Sequence, residues 1–246
     1  MYGQIAANKR KTILLMVLFV GVITGLSWLF AEYTGRPSIT LAVLVGASVY
    51  ALISYFAAAK MAVFMNDAHA IEMRDNPRLY GIVENIAITN GLPTPKVYLM
   101  EDPALNAFAT GRNPDHAVVA ATTGLLGALD DQELEGVMAH EMGHIKNYDI
   151  RVSLVAFALV AAVGILADFI LRMAWFGGDR DNDNNNSAFF ILAIAAAILA
   201  PIVATLIQLA ISRKREFLAD ATGALTTRYP EGLASALEKI KLLGSA

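Results

Sequence analysis

The sequence predicts an α+β membrane protein in which four transmembrane helices, arranged as two hairpins, enclose a cytosolic module with a small sheet and a metal-binding helix. Three observations carry this expectation. Of the 246 residues, 56% are hydrophobic and only 17% charged, where about 25% charged is usual for a soluble domain. Four long apolar stretches account for the excess. Between the second and third of them the pattern becomes mixed and leads into His140-Glu141-Met142-Gly143-His144. The net charge of −3 gives no reason to expect nucleic acid as a partner, and the absence of cysteine excludes disulfides, thiolate ligands and a thiol nucleophile.

Residues 13–31, 37–59 and 187–212 carry no charge; 152–167 carries none either, and its apolar pattern continues through Asp168 and Arg172 to Phe176. A bilayer core needs about 20 apolar residues per helix, and each stretch reaches or approaches that length. Helices buried in a soluble bundle rarely run so long without a polar face. Lys9, Arg10 and Lys11 precede the first stretch and Lys60 follows the second. Lys146 and Arg151 precede the third, and Arg213, Lys214 and Arg215 follow the fourth. The opposite connections, 32–36 and the acidic, amide-rich 177–186, lack that basic excess. The positive-inside rule therefore places both termini and residues 60–151 in the cytoplasm. No small-x-small cleavage site ends the first stretch, so it reads as a retained anchor and not as a signal peptide. Asp168 and Arg172 are four apart near the outer end of the third span and read as a local ion pair.

Within the central module, Asp75 is the expected cap of a helix with Pro77 in its first turn. Leu79, Ile82, Val83 and Ile86 form the apolar stripe of this helix, and Gly91 stands at its end. Residues 96–100, 106–111 and 117–122 read as three short strands, with a turn at 111–115. An exposed edge of such a sheet is able to hold an extended peptide by main-chain hydrogen bonds. The metal helix is expected over about 131–149, with Asp130 as N-cap and Glu133 three residues on.

Histidines at i and i+4 lie on one helix face, where both imidazoles can grip one metal ion, and Glu141 beside them is placed to take a proton from an activated water. A catalytic zinc site has three protein ligands and an open position. No histidine follows the motif, so the third ligand is expected to be a carboxylate. Glu216, in Arg215-Glu216-Phe217-Leu218-Ala219-Asp220, is the best candidate. The hairpin between residues 152 and 212 returns the chain to the same membrane face, bringing Glu216 toward His144. Asp220, one helical turn beyond Glu216, is expected to accept a hydrogen bond from a ligand imidazole and fix its tautomer.

HEMGHIKNYD after NAFATGRNPDHAVVAATTGLL, followed by an apolar hairpin and then EFLAD, resembles the HtpX family. These are membrane-embedded zinc endopeptidases and distant relatives of the prenyl-protein CAAX endopeptidases. The resemblance covers most of the chain. It implies one Zn²⁺ per chain held by His140, His144 and Glu216, with Glu141 as catalytic base and Asn106 helping to hold substrate. It further implies a zincin-like (gluzincin) module, unfolded or membrane-protein polypeptides as substrates, a role in quality control and stress, and residence in a bacterial or archaeal inner membrane. The corresponding division is an N-terminal hairpin (1–60), the cytosolic module (61–151), a second hairpin (152–212) and a cytosolic helical region completing the site (213–246). Family members usually continue some tens of residues further, so substrate-binding elements beyond residue 246 are expected in them.

Three rival readings are weaker. A di-iron oxidase needs a second Glu-x-x-His, and the sequence has none. An intramembrane protease would not precede its motif with Asp130, Asp131, Glu133 and Glu135. A catalytically inactive metal-binding scaffold does not require an intact motif. Arg228 and Tyr229 are candidates for stabilising an oxyanion by position only, and His69 and His116 read as surface residues.

Overall fold

The computed structural model describes residues 2–176 and 213–243, with residues 194, 197 and 201 between them. The chain divides into two compact units: Met1–Lys9 with Ala57–Leu154 and Ser212–Ala246, and Arg10–Phe56 with Val155–Ile211.

The second unit contains most of the apolar helices α1 (Tyr2–Thr34) and α2 (Ser38–Met65). Segments Ile5–Trp28 and Ser38–Ala57 are long and apolar enough to cross a membrane. Leu15, Phe19, Ala47 and Ala51 are buried here, and the rings of Phe19 and Tyr50 lie 6.0 Å apart. The Tyr50 hydroxyl donates to the carbonyl of Ala158 at 3.0 Å, which satisfies its one polar atom. Leu14, Val17, Leu41, Val45, Leu52 and Ile53 are exposed instead. Helices with so much outward-facing aliphatic surface are built for lipid. The third apolar stretch is helical in α6 (Asp149–Phe176). The side chains of Asp168 and Arg172, the 177–186 connection and all of the fourth stretch except residues 194, 197 and 201 lie outside the described residues.

The first unit is an α+β module. Its helix α3 (Pro77–Asn90) is capped by Asn76, whose side chain accepts from the Leu79 N–H at 3.0 Å. The cap is thus one residue later than the expected Asp75: Pro77 occupies the first helical position, which makes the residue before it the cap. Gly91 closes the helix at φ 63°, a left-handed conformation that glycine adopts without a Cβ clash. Strands β2 (Lys96–Met100), β3 (Ala107–Gly111) and β4 (Ala117–Thr122) follow, with a turn of 3₁₀ helix at Pro114–His116. A two-residue strand not foreseen from sequence, β1 (His69–Ala70), pairs with Leu99 and Tyr98. The sheet order is β1-β2-β4-β3; β2 and β4 are parallel, the other pairs antiparallel. Every residue of central β4 is buried, and β3 forms an edge.

Thr122 ends β4 and caps the short helix α4 (Thr123–Ala128), its hydroxyl oxygen accepting from the Leu125 N–H at 3.2 Å. Helix α5 (Asp131–Lys146) then starts with a full capping box: Asp130 accepts from the Glu133 N–H and Glu133 accepts from the Asp130 N–H, both at 2.9 Å. Leu134, Met138, Met142 and Ile145 point from α5 into a core shared with Leu79, Val83, Val97, Val119 and Leu125. Each such side chain contributes about 1.5–3 kcal/mol by leaving water. Arg78 locks the entry to α5, donating to the carbonyls of Leu126 and Leu129 and to Asp131. Helix α5 ends at Lys146, not at Asp149 as expected. Asn147 and left-handed Tyr148 (φ 59°) break it before α6 begins. Two further helices, α7 (Arg213–Thr227) and α8 (Pro230–Leu243), pack on α5.

Candidate metal centre

Close approach of α7 to α5 positions the site. A Cβ on Gly143 would lie 3.1 Å from the Ala219 carbonyl oxygen, and one on Gly223 would lie 3.1 Å from the His140 nitrogen. Two glycines facing backbone atoms across the crossing let the helices come nearer than larger residues would allow. This contact sets the N-terminal part of α7 against the C-terminal half of α5. It gathers His140, His144, Glu216 and Asp220, residues up to 80 positions apart.

The two imidazoles present Nε2 atoms 3.2 Å apart, and Oε2 of Glu216 lies 3.7 Å from one and 3.6 Å from the other. A carboxylate lies near the opposite nitrogen of each ring. His140 Nδ1 is 2.8 Å from Asp220 and His144 Nδ1 is 3.4 Å from Asp149. An ionised carboxylate only accepts, so each Nδ1 carries the proton and each Nε2 offers a lone pair. Two lone pairs and a carboxylate oxygen thus converge without a donor among them, a set that a cation completes. The spacing fits. Tetrahedral ligands about 2.1 Å from zinc stand roughly 3.4 Å from one another.

Electrostatics set the remaining groups. Burial, followed by the charge of His144, holds His140 below its ordinary pKa against the pull of Asp220. Burial acts downward on His144 too, but the bond from Asp149 and the charges of Glu141, Glu216 and Asp149 outweigh it and raise the ring. Glu141 is pushed up to about 7, chiefly by burial, against the charge of His144 and the Ala109 backbone. Its carboxyl therefore reaches edge strand β3, and a pKa near neutrality suits a group that takes and returns a proton.

Two features escaped sequence reasoning. Asp149, 1% exposed, was expected to be merely the end of α5, and Arg215, 5% exposed, merely a membrane-flanking charge. They face each other at 4.0 Å beside His144. The signal that was available is the polar Asn147-Tyr148-Asp149 triplet entering an apolar helix. Asn106 is exposed one residue before β3, its backbone tied to Thr122 in both directions at 3.0 and 3.1 Å. His69 and His116 are exposed as expected, His116 bonding to Asn113 at 2.7 Å. Arg228 and Tyr229 form the turn from α7 to α8.

A His-Glu-x-x-His helix, a glutamate from a second helix and apolar helices of bilayer length describe a membrane metallopeptidase. Comparison with known proteins agrees. Residues 73–242 match the model of Peptidase family M48. A "Protease HtpX homolog" of Tropheryma whipplei (strain Twist) is 54% identical over 241 residues, 98% of this chain and 82% of that protein. One of Streptococcus uberis is 45% identical over 250 residues, 98% of this chain and 84% of its own. The chain belongs to peptidase family M48, among its proteases of HtpX type. The crystal structure of S. mikatae Ste24p shares the fold, with a TM-score of 0.57 at 18% identity, covering 99% of this chain and 61% of that one.

Proposed function

We propose that this metallopeptidase is a zinc-dependent endopeptidase acting at the cytoplasmic face of a bacterial or archaeal inner membrane on misfolded or damaged membrane proteins. His140, His144 and Glu216 hold the ion, Glu141 is the catalytic base and Asp220 orients His140. The observation that carries this reading is the convergence of two Nε2 atoms and one carboxylate oxygen, all acceptors, beside a carboxyl group near neutral pKa.

Bound zinc supplies Lewis acidity, acidifying a water and polarising the scissile carbonyl. Glu141 takes the proton of the attacking water at its carboxylate and returns it to the leaving amine, a contribution of about 10²–10⁴-fold in rate. The outer edge of β3 lies where the Ala109 backbone meets Glu141. A substrate lying along that edge in extended form would bring its backbone to the base, with Asn106 at the entry to the strand. Four spans, in two hairpins at 1–60 and 152–212, keep the module (61–151 and 213–246) at the membrane. The basic flanks support a cytoplasmic position for it and for both termini.

The test uses purified protein, elemental analysis and a chelator-sensitive cleavage assay on a membrane-protein substrate. Glu141→Gln is expected to keep stoichiometric zinc and lose cleavage by at least about 10²-fold. Near-normal turnover would remove Glu141 from its role.

A further inference from the structure

Resting on the ligand set just proposed, we infer that Asp149 is the positioning residue for His144, and that Asn8, from the start of the chain, holds Asp149 in place. The side chain of Asp149 is 2% exposed, and a carboxylate so buried requires partners. Its Oδ2 faces His144 Nδ1 at 3.4 Å, while its Oδ1 accepts from the Asn8 amide at 2.5 Å. Arg215, 4.0 Å away through Nε, supplies the balancing charge.

Asn8 is itself 2% exposed. Its one amide nitrogen also donates to the carbonyl of Asn147 at 2.9 Å. A primary amide carries two hydrogens, so this geometry spends both: one on an orphan carbonyl where α5 breaks, the other on the carboxylate that faces a ligand ring. Because both partners are acceptors, the amide has only one workable orientation. Lys9 lies over the Tyr148 ring at 4.4 Å and pins the same three-residue break from outside. Residues 8 and 9 thus fasten the segment 147–149, and that segment fixes which nitrogen of His144 keeps its proton. A purely structural role for Asn8 would require only the bond to Asn147. The second bond, to Asp149, connects it to the metal centre.

Zinc dissociation constants of the full chain in detergent, measured by chelator competition, test this, together with visible spectra of the cobalt-loaded protein. Asp149→Asn is expected to weaken zinc about 10–100-fold and to shift the cobalt spectrum. Asn8→Ala should cause a smaller loss, at most about tenfold. The double variant should bind no more weakly than Asp149→Asn alone, because Asn8 acts through that carboxylate. Wild-type zinc affinity and an unchanged cobalt spectrum in both single variants overturn the inference. An Asn8→Ala loss of the same factor with and without the Asp149 carboxylate overturns the part concerning Asn8. If Asp149→Asn fails to fold, Asn8→Ala decides alone: unaltered affinity and spectrum refute the proposal. Stoichiometric zinc in Glu216→Ala would refute the ligand set instead, a separate and distinguishable failure.

Discussion

The two histidines proposed as ligands sit four residues apart on one helix, yet their supports have opposite characters. His140 is steadied by Asp220, a half-exposed carboxylate at 2.8 Å that arrives on another helix 80 residues later. His144 is faced by Asp149, a buried carboxylate at 3.4 Å only five residues further on. The distant partner depends on a helix crossing and is open to water. The near one depends on a break in the backbone and is sealed from it. Water competes for an exposed acceptor and screens its charge, so a buried carboxylate governs its neighbour more strongly even at longer range.

Substitutions across the site would break or sharpen this contrast. The largest effect falls on what the two halves share: Glu216→Ala is expected to strip the metal altogether, read as zinc per chain by elemental analysis, with cleavage lost in parallel. Next, Asp220→Asn should weaken zinc toward the lower end of the 10–100-fold range typical of outer partners. It should weaken it less than Asp149→Asn does under the same competition assay; the reverse order would mean that exposure does not govern the two supports.

Gly223→Ala attacks the His140 side through packing. Its new Cβ would press the His140 and Ala139 backbones at 3.1 and 3.3 Å. The helix-propensity gain of about 1 kcal/mol is then outweighed by a packing cost of about 1–3 kcal/mol. A lower Tm and weaker zinc binding are expected together, whereas a raised Tm with intact zinc would show that the crossing has room.

The smallest effect lies outside both halves and serves as their control. Glu133 pairs with Lys239 and Ser235, each at 2.6 Å, joining α5 to α8. Its pKa is lowered from 4.5 to about 2, first by the bond from Lys239 and then by that from Ser235. A group depressed in the folded state adds stability above its unfolded pKa and loses it as pH falls through the folded one. Wild type should therefore exceed Glu133→Gln in stability at neutral pH. The gap should close between about pH 4.5 and 2, with zinc affinity unchanged at neutral pH. Denaturant melts across that range would show it.

The same contrast explains what the sequence revealed. Glu216 and Asp220 are legible because i,i+4 spacing puts both on one helix face, just after the basic run 213–215 that closes an apolar stretch. The apolar stretches and strands β2 and β4 are legible for a related reason: periodicity and length govern them. Asp149 is not, because its position depends on Tyr148 entering the left-handed region, a cost of about 1–2 kcal/mol that nothing in the residue type announces. Asn8 is illegible for another reason. A lone amide before a basic cluster has no pattern, and its meaning comes only from acceptors 139 and 141 residues away. The cap of α3 was readable and misassigned, since Pro77 at the first helical position already pointed to Asn76.

The close crossing of α5 and α7 has a temporal consequence as well. A ribosome makes the chain in order, and residue 216 follows residue 144 by 72 residues (216 − 144). While α7 is still unmade, a growing chain holds two histidines and a base but not the proposed third ligand. On that ligand set, the nascent protein is unable to cut its neighbours or itself until residue 216 has been made and α7 has docked. Synthesis itself then acts as the first restraint on its proteolysis, with no separate inhibitory segment required at that stage.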